Sequence, residues 1–472
     1  MVFPAKQHLA KTVSHLVASA SAATPHHHIL YLEGEITRAR HDTDNELPFR
    51  QEGNFYYLSG FDSPGGHLLI SVQTGKGNQY DVKSTLFIPP VNSEEVMWCG
   101  LPPLVNDVAK THDVDAVKET PSLVQTLKQL ISDANTTLHI LPERRGGIPK
   151  DINVNINDGL LLKAVHEART QKTEGELELM RHANKVSSEA HVQVMKAIAN
   201  GASTEQECEA VFRASGVRVG VKSLAYLPIF AYGNQGATLH YVANDKDFDM
   251  KNGGMMVVDA AFEYHNYAAD ITRTIPAGNG GKFGDRQKSI YSIVLLMQKA
   301  AFAKIKVGVE WESIQLEMHR VAAKGLLDLG ILQRGPSKAE TDDELIEEIV
   351  QSYATVPFFP HGVGHLLGLD THDAGGLPNG RATNLLYKNV RLRRPLLEGY
   401  VVTVEPGIYF NPLLIEGQKS NPYINHEETS KYVGIGGVRI EDNLVVTKDG
   451  YENLTSAPKE IEEIEALCSG KN

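Results

Sequence analysis

The sequence predicts an α/β domain over residues 1–165, followed by a larger domain over 166–472 that mixes long helices with short β runs. Three observations carry this. β-rich runs alternate with helical stretches from about residue 28 to about 160, helical periodicity then takes over, and short β runs punctuated by glycine and proline return from 353. A chain of 472 residues with 42% hydrophobic content is long enough for two or three domains, each with its own core.

The opening stretch MVFPAKQHLAKTVSHLVASASAA reads as an amphipathic helix. Lys6, His8, Lys11 and His15 interrupt the continuous apolar core of a signal peptide, and the arginine a mitochondrial presequence would want is absent before Arg38. The runs HILYLEG, NFYYLSGF, HLLISV, STLFIPP and TLHILPE read as β-rich, and PSLVQTLKQLISDA reads as a helix. His26, His27 and His28 look like a metal tract. Neighbours at the start of a strand point to opposite faces, however, so these are expected to be solvated. The stretch HDTDNELPFRQEGNFYYLSGF, 41–61, is the densest polar and aromatic segment of this half, a candidate pocket lining or a folded edge loop.

The second domain opens with helical periodicity over 158–200, where Thr173 and Glu176 form a capping box ahead of Leu177, Met180, Ala183 and Val186. QKSIYSIVLLMQKAAFAKI and ESIQLEMHRVAAKGLLDL follow as helices, separated by the Val307-Gly308-Val309 break. The acidic segment 338–351 reads as an exposed helix or an insertion, with no chemistry assigned. A charged helical tail closes the chain.

Bulk properties remove several function classes. Net charge is -12 and pI about 5.9, with no long basic block, which disfavours nucleic acid and anionic membranes as partners. No apolar run is long enough to span a bilayer, so a soluble protein is expected. Cys99, Cys208 and Cys468 lie far apart without zinc-site spacing and fit a reducing, cytoplasmic compartment.

The chemistry centres on GGMMVVDAAFEYHNYAADITRTI, residues 253–275. A fold-back at Tyr264-His265 sets Asp259 directly opposite Asp270, with Cβ atoms roughly 4.5 to 5.5 Å apart, where paired anions need a proton or a cation between them. The competing reading has one aspartate capping the turn and the other paired with Arg273. Three downstream stretches favour the cation: HGVGH at 361–365, VVTVEPG at 401–407 and VRIEDNLVV at 438–446. His365 follows Gly362 and Gly364, a spacing suited to a loop that approaches another backbone closely. Glu405 shares a strand face with Val401 and Thr403, and Pro-Gly then ends the strand. Glu441 alternates with Arg439 and Asn443.

Together Asp259, Asp270, His365, Glu405 and Glu441 supply four carboxylates and one imidazole, without a thiolate. That set carries more negative charge than one divalent ion neutralises, so two ions fit better. Two metals roughly 3.5 to 4 Å apart can activate water and polarise a carbonyl, which points to hydrolysis. Ligand hardness favours Mn2+, and Co2+ or Zn2+ would also bind.

The order Asp, Asp, HGVGH, VEPG, Glu resembles the pita-bread metallopeptidases, in particular the prolidase and aminopeptidase P group. FRQEGNFYYLSGF resembles that group's amino-terminal domain, so the resemblance covers nearly the whole chain. It implies an α/β N-terminal domain followed by an α+β pita-bread catalytic domain, and a homodimer. It also implies that Asp270 and Glu441 bridge two ions, that Glu405 handles the proton of the attacking water, and that His240, His361 and His372 surround the substrate. The expected substrates are Xaa-Pro dipeptides, longer peptides with a penultimate proline, or both. Proline makes the leaving group a secondary amine, so a proton donor is needed, and His361 and His372 are the candidates. Counting back from VEPG, Arg391 matches the arginine that holds a dipeptide's terminus in prolidases; Pro395 and Glu398 depart from the pattern, which leaves Arg393 and Arg394 as alternatives. Two rival functions are a non-catalytic peptide- or protein-binding module on the same fold and a metal-free hydrolase of the creatinase type. Both are disfavoured because all five ligand positions are filled.

Overall fold

The structure, a computed structural model, describes residues 3–19, 27–75, 80–131, 135–143 and 152–470. The chain divides into two compact units, Met1–Thr170 and Gln171–Asn472.

The first unit is built on a six-stranded mixed sheet of β1 (His27–Glu33), β2 (His67–Thr74), β3 (Tyr80–Ile88), β4 (Ala116–Glu119), β5 (Thr136–His139) and β6 (Asn155–Asn157). The spatial order is β4-β3-β2-β1-β5-β6, antiparallel through β1, β2 and β3 and parallel outside them. The opening segment forms helix Ala5–Ser19, with Leu9, Val13 and Leu16 on its buried face.

Two expectations for this unit are corrected. His27 and His28 are buried, not solvated, because β1 is an inner strand covered on both faces. His27 sits between Thr136 Oγ1 at 3.1 Å and Ser71 Oγ at 2.8 Å, and His28 Nδ1 lies 3.0 Å from His139 Nε2. His26 lies outside the described residues. Most of NFYYLSG is a helix, Gly53–Ser59, despite its β-prone aromatics. The carboxylate of Glu52 caps it by accepting from the N–H groups of Asn54 and Phe55, and Gly60 closes it in the left-handed region at φ 68°. Capping at both ends outweighs a weak strand preference, and the aromatic rings fill this unit's interior.

The second unit contains β7 (Ile229–Tyr232), β8 (Gly254–Asp259), β9 (Glu263–Tyr264), β10 (Tyr267–Ala268), β11 (Thr272–Ala277), β12 (Val401–Val404), β13 (Gly407–Tyr409), β14 (Gly437–Arg439), β15 (Asp442–Thr447) and β16 (Gly450–Asn453). These pair antiparallel as β11-β8-β7, β12-β15-β16, β13-β14 and the hairpin β9-β10. Single bridges from Thr272 to Glu441 and from Leu366 to Val402 stitch the small sheets together.

Helices Glu174–Ala199, Asp285–Lys304 and Trp311–Asp328 pack against them around one large apolar core. The first opens with the capping box read from the sequence: Thr173 accepts from the Glu176 N–H, and the Glu176 carboxylate accepts from Thr173. The acidic segment forms helix Asp342–Gln351, which buries Leu345, Ile346, Ile349 and Val350. It is therefore a packed amphipathic helix rather than a freely exposed one.

Candidate metal centre and substrate cleft

Asp259 ends β8, anchored there by buried Met255, Met256, Val257 and Val258. The fold-back comes one residue later than the sequence suggested. His265 and Asn266 occupy the turn at φ 48° and 63°, the paired left-handed conformation of a tight hairpin. Asp259 therefore faces Thr272, and Asp270 is its diagonal rather than its direct neighbour. The shift changes the pairing by two residues, so both carboxylates keep the same sheet face.

Asp270 lies between β10 and β11, where regular pairing stops, and its backbone is held by a side chain instead. Asn443 Oδ1 accepts from the Asp270 N–H at 2.9 Å, and Asn443 Nδ2 donates to the Asp270 carbonyl at 2.5 Å. Arg273 does not pair with either aspartate. It is fully buried and donates to Asp442, to the carbonyls of Thr272 and Glu441, and to those of Ala457 and Pro458.

Residues 363–367 run beside β12: Glu405 N–H donates to Val363 O at 2.8 Å, Thr403 N–H to His365 O at 2.9 Å and Leu367 N–H to Val401 O at 2.9 Å. The glycines permit this. A Cβ on Gly364 would sit 2.0 Å from the Thr403 carbonyl oxygen, and one on Gly362 would sit 3.0 Å from Val390 Cα. Gln315, reaching from helix Trp311–Asp328, fixes the same loop by accepting from Val363 N–H at 2.6 Å and donating to His361 O at 3.1 Å.

These segments bring Asp259, Asp270, His365, Glu405 and Glu441 to one cleft of about 320 Å³, which His240, His361, His372 and Arg391 also line. Asp270, His365 and Glu441 each offer a ligand atom within 4.8 Å of the others. His365 Nδ1 lies 2.9 Å from its neighbour's carbonyl, which places the proton there and leaves Nε2 as a lone pair. That lone pair faces Asp270 Oδ2 at 3.3 Å and Glu405 Oε1 at 3.5 Å. Burial and the neighbouring carboxylates push the carboxyls of Asp270, Glu405 and Glu441 well above their usual range, and burial lowers His365 to about 4. Two buried polar atoms at the site, Asp259 Oδ1 and Tyr226 Oη, lack a hydrogen-bond partner among the described residues. An oxygen-rich donor set, an imidazole lone pair aimed into it and an orphaned carboxylate oxygen fit divalent cations.

One compensating charge is built in, and the sequence reading missed it. Arg439, 4% exposed, donates to Asp259 Oδ2 at 2.6 Å, to Thr272 Oγ1 at 3.1 Å and to the Tyr409 hydroxyl at 2.9 Å. Its alternation with Glu441 along the strand was the available signal. Tyr409 continues the chain to His361 Nε2 at 2.9 Å, and His361 Nδ1 lies 2.8 Å from the Gly362 carbonyl. Both ring nitrogens of His361 are thus engaged, and burial together with Arg439 lowers it to about 3. His372 stands edge-on to His365, with ring centroids 4.5 Å apart, and burial lowers it to about 3. Asp373, beside it, is committed to Lys172 at 2.8 Å in a fully buried pair.

The arginine cluster separates cleanly. Arg391 lines the cleft, whereas Arg393 turns to Glu312 and the Gly380 carbonyl, and Arg394 turns to the Gly375 carbonyl.

Residues 178–448 match the family model of metallopeptidase family M24, and residues 6–139 match the aminopeptidase P N-terminal domain. The chain belongs to family M24. Within this family it is 43% identical over 479 residues to a probable Xaa-Pro aminopeptidase of Paracoccidioides brasiliensis, covering 99% of this chain and 97% of the relative. A probable Xaa-Pro aminopeptidase of Aspergillus niger is 41% identical over 483 residues, covering 99% and 98%. Among solved M24 structures, aminopeptidase P from E. coli with the inhibitor Pro-Leu superposes with a TM-score of 0.78 at 26% identity, covering 100% and 99% of the two chains. Proline aminopeptidase P II from Yersinia pestis gives 0.78 at 26%, covering 99% and 100%. The two-part architecture of this chain, an aminopeptidase P N-terminal domain ahead of an M24 catalytic domain, is that of the group.

Proposed function

We propose that this metallopeptidase hydrolyses the bond between the first residue of a peptide and a penultimate proline, in longer peptides and in Xaa-Pro dipeptides. The observation that carries the reading is the cluster of four carboxylates, Asp270 and Glu441 buried and Asp259 and Glu405 half-buried, that shares one cleft with the His365 lone pair, in a chain similar over its full length to Xaa-Pro aminopeptidases. Asp259, Asp270, His365, Glu405 and Glu441 would hold two divalent ions, Mn2+ before Co2+ or Zn2+. When bound, such ions lower the pKa of a water and polarise the carbonyl it attacks.

The protein's own groups do the rest. Glu405, whose side chain is 18% exposed against 7% for Asp270, is the carboxylate best placed to receive the water's proton. Arg439 pairs with Asp259 at 2.6 Å and, through Tyr409, fixes the His361 ring, so His361 shapes the cleft rather than donating a proton. His372 makes no hydrogen bond through its ring nitrogens with any described residue and serves the proline nitrogen as it leaves. His240 and Arg391 line the substrate side, with Arg391 meeting the carboxylate of a dipeptide. Three free cysteines, two of them buried, support a reducing, cytoplasmic setting, and the family resemblance supports a homodimer.

The test is turnover of Gly-Pro and of a longer Xaa-Pro peptide with added Mn2+, beside a peptide carrying alanine at the second position. Cleavage of the proline peptides alone supports the reading; turnover of neither removes it. Metal analysis of protein purified without chelator separates it from a non-catalytic module and from a metal-free hydrolase, both of which predict no stoichiometric ion.

A further inference from the structure

The cleft is lined by three arginines, and only one of them has a partner among the described residues. Arg439 is committed to Asp259 and Tyr409. Arg391 and Arg381 make no hydrogen bond or ion pair with any described residue. With 58 acidic against 46 basic residues the chain has carboxylates in surplus, yet neither of these two guanidinium groups is ion-paired with a described one.

Arg381 is delivered to the cleft by a fastened loop. Arg393 N–H donates to the Gly376 carbonyl at 2.8 Å and Arg393 Nη1 to the Gly380 carbonyl at 2.9 Å, while Arg394 Nη1 holds the Gly375 carbonyl at 3.1 Å. Gly376 lies so close to the following segment that a Cβ there would sit 2.3 Å from the Arg391 carbonyl oxygen. Gly380 then turns the chain at φ 76°, donating its N–H to Leu377 O at 3.1 Å, and Arg381 is the next residue.

The two free cations stand at different depths. Arg391 is half-buried and close enough to act electrostatically on His365 and His372, whereas Arg381 is exposed. A planar guanidinium with free donors is a carboxylate receptor, and an exposed one reads a group at the mouth rather than at the reacting bond.

We infer that Arg381 is a specificity-determining residue that binds a carboxylate on the residue after the proline. This rests on the Xaa-Pro peptidase reading and deepens it. Where Arg391 meets the terminus of a dipeptide, Arg381 meets the next carboxylate along, so the favoured longer substrates are tripeptides with a free C-terminus or peptides with Asp or Glu following proline.

The test compares Gly-Pro-Ala with its C-terminal amide, and Gly-Pro-Asp-amide with Gly-Pro-Asn-amide, using Mn2+-loaded full-length protein and Arg381→Gln. The wild type prefers each carboxylate-bearing peptide by about tenfold in kcat/KM, expressed mainly in KM, and Arg381→Gln collapses that ratio toward one. The first pair reports a terminal carboxylate and the second a side-chain carboxylate; a preference in either supports the inference and identifies the source. In 1 M salt the wild-type ratio also contracts, because screening shortens to about 3 Å, while the variant's ratio stays flat. Equal turnover within both pairs by the wild type, or a ratio unchanged in Arg381→Gln, overturns the role of Arg381 alone. Absence of turnover on every proline peptide overturns this inference together with the peptidase reading.

Discussion

Replacing Asn443 with leucine removes the side chain that clamps the backbone of Asp270 while nearly preserving volume. Two hydrogen bonds go, at 2.9 and 2.5 Å, and the Asp270 N–H and carbonyl are left buried with nothing else to pair with. Each orphaned backbone group costs about 1 to 3 kcal/mol, so the pair costs about 4 kcal/mol, offset by about 1 kcal/mol from the added apolar side chain. The expected net loss of about 3 kcal/mol lowers the melting temperature by about 5 °C in a unit of this size. Asn443→Asp keeps the acceptor for the Asp270 N–H and is expected to fall between the wild type and leucine. Three measurements follow: calorimetric melting of chelator-treated protein, Mn2+ affinity by titration calorimetry, and hydrogen exchange at the Asp270 amide. A clamp that positions a ligand predicts weaker Mn2+ binding and faster exchange at that amide in the leucine variant. Unchanged Mn2+ affinity with unchanged exchange would refute the reasoning, whatever happens to the melting temperature.

Arg439→Met leaves the half-buried Asp259 without its partner and is expected to destabilise the metal-free protein by about 3 kcal/mol in urea unfolding, with added Mn2+ recovering part of the loss. Gly364→Ala puts a Cβ 2.0 Å from the Thr403 carbonyl oxygen and must force the 363–367 segment away from β12; a loss of about 3 kcal/mol with weakened Mn2+ binding is expected, read by thermal shift and titration. In the first unit, burial lowers His139 to about 4 and lowers His28 as well, so the unfolded chain binds more protons than the folded one between pH 6.5 and about 4. Stability of that unit therefore falls as pH drops through this window, by about 3 kcal/mol for His139, and the loss is complete below about 4. Hydrogen exchange in β1 and β5 across this range checks it, and His139→Phe flattens the slope.

What the sequence disclosed follows the range of the interactions involved. The capping box at Thr173 and Glu176 spans three residues and could be read directly. The glycines of HGVGH announced a close backbone approach, though only the structure identifies Thr403 and Val390 as what they approach. The shared face of Asp259 and Asp270 survived a misplaced turn because pairing parity was preserved. The failures have a common cause. Arg439, Asn443 and Gln315 act on segments between 46 and 180 residues away, so nothing local marks them beyond a place on a strand or helix face. His27 and His28 looked polar and hence solvated, because the sequence does not reveal that β1 is an inner strand. The NFYYLSG helix was hidden by residues that favour strands in general, while its caps at Glu52 and Gly60 lay in view.

The five side chains of the cluster are contributed by β8, the residue pair before β11, the 363–367 segment and the strands that follow, and Glu441 comes last. During synthesis, therefore, no early fragment of the catalytic unit can bring the full set together, because Glu441 emerges only after the four segments it must join. On the proposed reading, ion uptake is a late event in the life of each molecule. Arg439, which emerges just before Glu441, arrives with it and supplies the pocket's built-in positive charge.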